Sequence, residues 1–209
     1  MSTQTKEKGH RWFAALWDRQ SASNDRTHGL KIRPRIMGEA SGDVLEIGVG
    51  TGASFSYYPE DARVIAIEPD PYMIERAHKR LAADGNINIQ LRQAVAEALP
   101  FGDASFDHVV ASLVFCSVRD QATAFAEVRR VLRPGGTFRF WEHIRNDDSC
   151  FWGTFQDAIT PIWRWCAAGC HPNRRTRQAI EDAGLRIEWV EKVRGTLGTP
   201  EIYGVARPA

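Results

Sequence analysis

The stretch Val44-Leu45-Glu46-Ile47-Gly48-Val49-Gly50-Thr51-Gly52-Ala53 runs a short apolar strand straight into a turn with glycine at every second position. Glycine at that density serves a backbone that must enter left-handed conformations or let a ligand come close to the main chain. A strand ending in such a turn belongs near the centre of a layered α/β sheet, whose ligands sit outside the carboxyl ends of the strands. The spacing predicts that the turn leads into a helix. About twenty residues on, Val64-Ile65-Ala66-Ile67 runs into Glu68, in the place from which a carboxylate accepts hydrogen bonds from two ribose hydroxyls. Strand, glycine turn and acidic residue together predict a nucleoside-binding site.

The rest of the chain repeats this alternation. Ile87 to Leu91, Phe106 to Ser112 and Gly136 to Trp141 read as further strands, separated by helices at Pro71 to Ala83 and Gln121 to Leu132 whose apolar residues recur three and four apart. Asp70 before Pro71 is a helix cap followed by a first-turn proline. Asn173 to Ala183 reads as a helix, followed by strands at Leu185 to Val193 and Glu201 to Ala206. Two amphipathic segments stand outside the pattern, Arg11 to Gln20 and the insertion 146–172, and both are candidates for a lid over the strand ends. The expected organisation is one domain: a helical cap over 1–40, a cofactor-binding half over 41–145, a helical lid over 146–172, and a helix with a strand pair over 173–209.

Composition closes off other classes. The net charge of +1 leaves no basic footprint for nucleic acid. The longest apolar runs, such as Val109 to Val118, fall short of the ~18 residues of a membrane-spanning helix, and the polar opening Met1 to Lys8 is unlike a signal peptide, so a cytoplasmic location is expected. Oligomeric state is not legible. Cys166, Cys170 and His171 are spaced like part of a metal site but lack a fourth ligand, and no metal is expected. All seven tryptophans fall outside the cofactor half or at its edge, which suggests an aromatic wall around an apolar acceptor.

The glycine turn alone fits a dinucleotide as well as a nucleoside, so a nicotinamide oxidoreductase and a non-catalytic nucleoside-binding module both stand as readings. Glu46 separates them, because a carboxylate two residues before the first glycine repels a pyrophosphate and attracts an ammonium. Leu45-Glu46-Ile47-Gly48-Val49-Gly50-Thr51-Gly52 resembles the first motif of class I S-adenosylmethionine-dependent methyltransferases. Glu68, Ala96-Glu97-Ala98-Leu99-Pro100-Phe101, Phe106-Asp107-His108-Val109-Val110 and Leu132-Arg133-Pro134-Gly135-Gly136 resemble its later motifs in order and spacing. The resemblance implies a Rossmann-like fold with a seven-stranded, mostly parallel sheet, an antiparallel last strand, helices on both faces and a helical lid. It also implies S-adenosylmethionine as cofactor and S-adenosylhomocysteine as product, held by Glu46, Gly48, Gly50, Thr51, Gly52, Glu68, Pro69, Met73, Ala96, Glu97, Ser112 and Leu113. Where many relatives have an Asp two residues before the Glu of the adenine-side loop, this chain has Val95, which leaves adenine to backbone groups near Ala96 or to Glu97.

Phe55-Ser56-Tyr57-Tyr58-Pro59, Leu113-Val114-Phe115-Cys116-Ser117-Val118, Trp141-Glu142-His143-Ile144 and Phe151-Trp152 with Pro161, Trp163, Gly169-Cys170 and Arg174 are similar to the small alkyl thiol S-methyltransferases. Animal members carry a hydrophobic N-terminal anchor that has no counterpart in the polar opening of this chain. The resemblance implies methyl transfer to a small, largely apolar acceptor, a thiol first. N-, O- or C-methylation of a natural-product, lipid or quinone-like acceptor is the alternative. A thiol reacts as its thiolate, so a base or a positive charge should lie near the acceptor. His143, just past the fifth strand, is the candidate, with Glu142 to orient it. Trp17, Cys116, Trp152, Trp163 and Arg174 are the candidate acceptor-side residues, Cys116 also reading as a packed thiol and Arg174 as a solvated helix start.

Overall fold

A computed structural model describes residues 28–84, 88–166, 169–195 and 198–209. Trp12 and Trp17, and with them most of the expected N-terminal cap, lie outside the described residues. The strands are β1 (Gly42–Ile47), β2 (Ala62–Ile67), β3 (Ile89–Arg92), β4 (Phe106–Ser112), β5 (Leu132–His143), β6 (Leu185–Arg194) and β7 (Pro200–Pro208). The helices are α1 (Leu30–Ile36), α2 (Pro71–Asp84), α3 (Gln121–Val131), α4 (Cys150–Cys166) and α5 (Thr176–Asp182). The strands form one sheet in the order β3-β2-β1-β4-β5-β7-β6. β1 to β5 pair in parallel, and β7 runs antiparallel to both of its neighbours. The Rossmann-like class I methyltransferase fold expected from the sequence is the fold observed.

β1 is buried on both faces from Val44 to Ile47, as a central parallel strand must be. On one side Phe125 and Val128 of α3 and Ile180 of α5 pack onto Leu45, Val109, Phe138 and Phe140. On the other, Ile32 and Ile36 of α1 and Ala77 of α2 pack onto Val44, Val64 and Val110. Helix starts follow their caps: Asp70 Oδ1 accepts from the amides of Tyr72 and Met73 at 2.7 and 3.3 Å, and Asp120 accepts from Thr123 N. No described helix is long and apolar enough to cross a membrane.

Three expectations are corrected. No α-helix follows the glycine turn, and the chain makes only a 3-10 turn at Phe55–Tyr57. Pro59 accounts for this, because the residue before a proline is driven out of the helical region, and Tyr58 is extended at φ −73°, ψ 141°. β5 starts at Leu132 rather than Gly136: Phe106 pairs with Leu132 and His108 with Thr137, so Arg133 to Gly136 bulge out between the two pairs. α5 starts at Thr176 rather than Asn173, because Arg174 is engaged elsewhere.

Candidate active site

The strand order reverses direction between β1 and β4, so the ends of these strands open the crevice in which such sheets hold ligands. Gly48 and Gly52 sit there at φ 69° and 85°. A Cβ at Gly48 would lie 2.5 Å from Val114 Cγ2, and one at Gly52 would lie 2.3 Å from Phe55 Cε2, so space and conformation both demand glycine. The loop is tied down by Glu68, whose two oxygens accept from Gly50 N and Asp70 N, each at 3.0 Å. Thr51, Met73 and Ala96 are buried around it and Pro69 is half-buried. Glu46 is buried; its Oε1 accepts from Ser54 Oγ at 2.5 Å, while Oε2 has no hydrogen-bond partner. Burial pushes the Glu46 carboxyl up, against the pull of Ser54 and Arg33. The buried hydroxyl of Ser112, at the end of β4, also has no partner. Glu97 is occupied differently, accepting from the amides of Arg119 and Asp120 just before α3.

Beyond β4 the chain passes Leu113 at φ 59°, a left-handed conformation costly for a non-glycine residue, and enters a turn over Val114 to Ser117. Glu142, fully buried, holds that turn: Oε1 accepts from Val114 N and Phe115 N at 2.9 Å each, and Oε2 from Cys116 N at 3.2 Å. Burial lifts its carboxyl to about 7 against these three amides. The sequence reading had Glu142 orient His143; its oxygens instead hold the Cys116 turn.

The orienting carboxylate is Glu201 of β7. His143 lies opposite Glu201 in the β5–β7 register, with Nε2 3.3 Å from Oε1. Glu201 is itself buried and takes Trp141 Nε1 at 2.7 Å. The sequence reading missed Glu201, which stands 58 residues from its partner; the signal was the antiparallel pairing of the last strands.

Cys170 also lies beside His143. The Sγ atoms of Cys116 and Cys170 and a ring nitrogen of His143 all fall within 4.8 Å of one another. Burial opposes charge on His143, but Cys170 and Glu201 outweigh it and raise its pKa. The neighbouring Cys116 lowers the Cys170 thiol; His143 and the Trp163 indole add to this against burial. Cys170, ahead of burial, pushes the Cys116 thiol up in turn. Of the Cys166, Cys170 and His171 spacing seen in the sequence, His171 turns to the Cys116 carbonyl, and it is Cys116 and His143 that the fold brings to Cys170.

Arg174 is half-buried and donates to the Phe115 carbonyl at 2.5 Å, so it braces the Cys116 turn rather than beginning a solvated helix. A groove of about 760 Å³ runs between α4 and the β6–β7 pair, with Trp152, Phe155, Ile159 and Trp163 along one wall and Val193 and Pro200 along the other. Trp163 lines the groove and also faces Cys170, which joins groove and thiol cluster. Trp165 is 85% exposed and does not line the groove.

A family profile described as a methyltransferase domain matches residues 45–140. The human protein named thiol S-methyltransferase TMT1A is 33% identical over 202 residues, covering 93% of this chain and 82% of its own length. Human thiol S-methyltransferase TMT1B is 38% identical over 149 residues, covering 69% of this chain and 61% of that protein. Among solved structures, an S-adenosylmethionine-dependent methyltransferase from Aquifex aeolicus superposes with a TM-score of 0.65 at 17% identity, over 95% of this chain and 99% of its own.

Proposed function

This chain belongs to the class I S-adenosylmethionine-dependent methyltransferases, in the family of the thiol S-methyltransferases, and from that premise we propose that it methylates the sulfur of a small, largely apolar thiol. The residues at the crevice fit the cofactor: a glycine cradle without room for side chains, the unpartnered Oε2 of Glu46 for a cationic group, and the unpartnered hydroxyl of Ser112. Glu68 would take the ribose hydroxyls, the 48–52 loop would lie along the methionine part, and backbone near Ala96 would meet the adenine. S-adenosylmethionine, when bound, supplies a methyl group on a sulfonium that needs no further activation.

What remains for the protein is to produce a thiolate, align it and exclude water. The observation that carries the thiol reading is the His143–Cys170 pair. Surroundings that lower the Cys170 thiol at this edge favour the thiolate of an incoming acceptor in the same way. Glu201 keeps the His143 ring in place and its charge compensated. The aromatic wall of the groove accepts an apolar substituent and keeps water from the reacting sulfur. A nicotinamide dinucleotide fits less well, because no helix N-terminus follows the glycine turn to receive a pyrophosphate.

A panel of alkyl thiols, phenols and amines, incubated with the protein and S-adenosylmethionine and read by mass spectrometry, should give methyl thioethers from the apolar thiols. Methylation confined to oxygen, nitrogen or carbon acceptors overturns the reading. His143→Ala should lower turnover by about 100-fold or more, the scale of a lost acid–base or charge-stabilising group. Its affinity for S-adenosylhomocysteine should stay that of the parent protein; a matching loss of affinity would move His143 out of the acceptor site.

A further inference from the structure

We propose that Cys116, His143 and Cys170 form a three-ligand site for a zinc ion whose fourth position, on the Trp163 side, takes the sulfur of the acceptor thiol. The inference rests on the thiol reading for its fourth ligand and on geometry alone for the other three.

The ligand atoms come from three separate elements, the turn after β4, the end of β5 and the segment between α4 and α5, yet lie within 4.8 Å of one another. Tetrahedral zinc with Zn–S of ~2.3 Å and Zn–N of ~2.0 Å places its ligands ~3.5–3.8 Å apart, so the three side chains need only close by about 1 Å. Two thiols and an imidazole are the donor set that zinc prefers, and catalytic zinc sites keep three protein ligands and one open position.

Three further observations fit. First, Nε2 of His143 faces Glu201, while its buried Nδ1 has no hydrogen-bond partner. A zinc-bound histidine uses one nitrogen for the metal and gives the other to a carboxylate. Second, Cys116 and Cys170 are both buried and both free thiols. Third, the two cysteine segments are pinned together before any metal arrives: His171 N donates to the Cys116 carbonyl at 2.8 Å, Arg174 donates to the Phe115 carbonyl, and Glu142 holds the Cys116 amide. Such bracing sets first ligands in position. The chemistry is a single ionisation: the acceptor S–H bond breaks, its electron pair goes to the zinc, and the proton leaves to solvent, as happens outright for a coordinating thiol.

The test begins with the zinc content of the purified protein, then chelation and titration of the metal-free protein with Zn²⁺ and with Co²⁺, whose thiolate charge-transfer band reports sulfur ligation. About one zinc per chain, a cobalt–thiolate band, and loss of both in Cys116→Ala and in Cys170→Ala are expected. Glu201→Gln, which keeps the three ligands, should weaken zinc binding by about 10- to 100-fold. Thermal transitions and S-adenosylhomocysteine binding of each variant establish that it is folded. A folded parent protein that takes up neither metal overturns the site, as does a cobalt spectrum indifferent to both cysteine substitutions. Full-rate thiol methylation by metal-free protein overturns the zinc site and leaves the thiol reading standing. Stoichiometric zinc bound through these residues without thiol methylation overturns the thiol reading and leaves the metal site.

Discussion

Glu142→Ala should unfold at least about 3 kcal/mol more easily than the parent protein, because three buried amides each lose their acceptor at about 1–3 kcal/mol per unsatisfied donor. For a domain of this size that is a fall in melting temperature of roughly 6–12 °C. Activity should fall further than stability, since the turn released by the substitution carries Cys116 and supports the strained Leu113. Glu142→Gln restores an acceptor for Val114 and Phe115 but presents an NH2 group to the Cys116 amide, so its cost should lie between the two. Calorimetric melting of the three proteins checks this. A Glu142→Ala protein that melts with the parent would mean that the turn holds without its carboxylate.

The second large effect is on the cofactor. Glu68→Ala should weaken S-adenosylhomocysteine binding by about 3 kcal/mol, close to 100-fold, through lost hydrogen bonds to a charged acceptor. Part of the loss is indirect, because the same carboxylate ties Gly50 and Asp70 together and so shapes the loop before any ligand enters. The measurement is isothermal titration with S-adenosylhomocysteine, with the melting temperature as the check on folding. Binding within error of the parent would remove Glu68 from the site.

Much of the fold was legible because local signals agreed with one another. The β1 run into Gly48, the Asp70 cap and the period of α3 each follow from a few adjacent residues. The missing helix after the glycine turn did not follow from the glycine pattern: Pro59 disfavours helical backbone at Tyr58, which shortens the segment to a 3-10 turn. The proposed acceptor site was harder, because its members meet only across the fold. Cys116 and Cys170 stand 54 residues apart, and no spacing rule joins a turn after one strand to the end of a lid. The assignment of Glu142 to His143 failed for a simpler reason. Neighbours along a strand point to opposite faces, so the residue beside a strand histidine in sequence is poorly placed to hold its ring. The residue across the ladder is well placed, and here it is Glu201.

That ladder has a consequence for how the enzyme comes into being. The glycine turn, Glu68 and the β4 turn all precede α3 in the chain, whereas the partner of His143 arrives on β7, after every other strand. A growing polypeptide carries the residues of the glycine crevice before it has the carboxylate that contacts His143. Moreover, a slip of one residue in the β5–β7 pairing turns Glu201 to the opposite face. The chain therefore has the glycine crevice complete early, and the carboxylate opposite His143 falls into place only when its last hairpin zips in register.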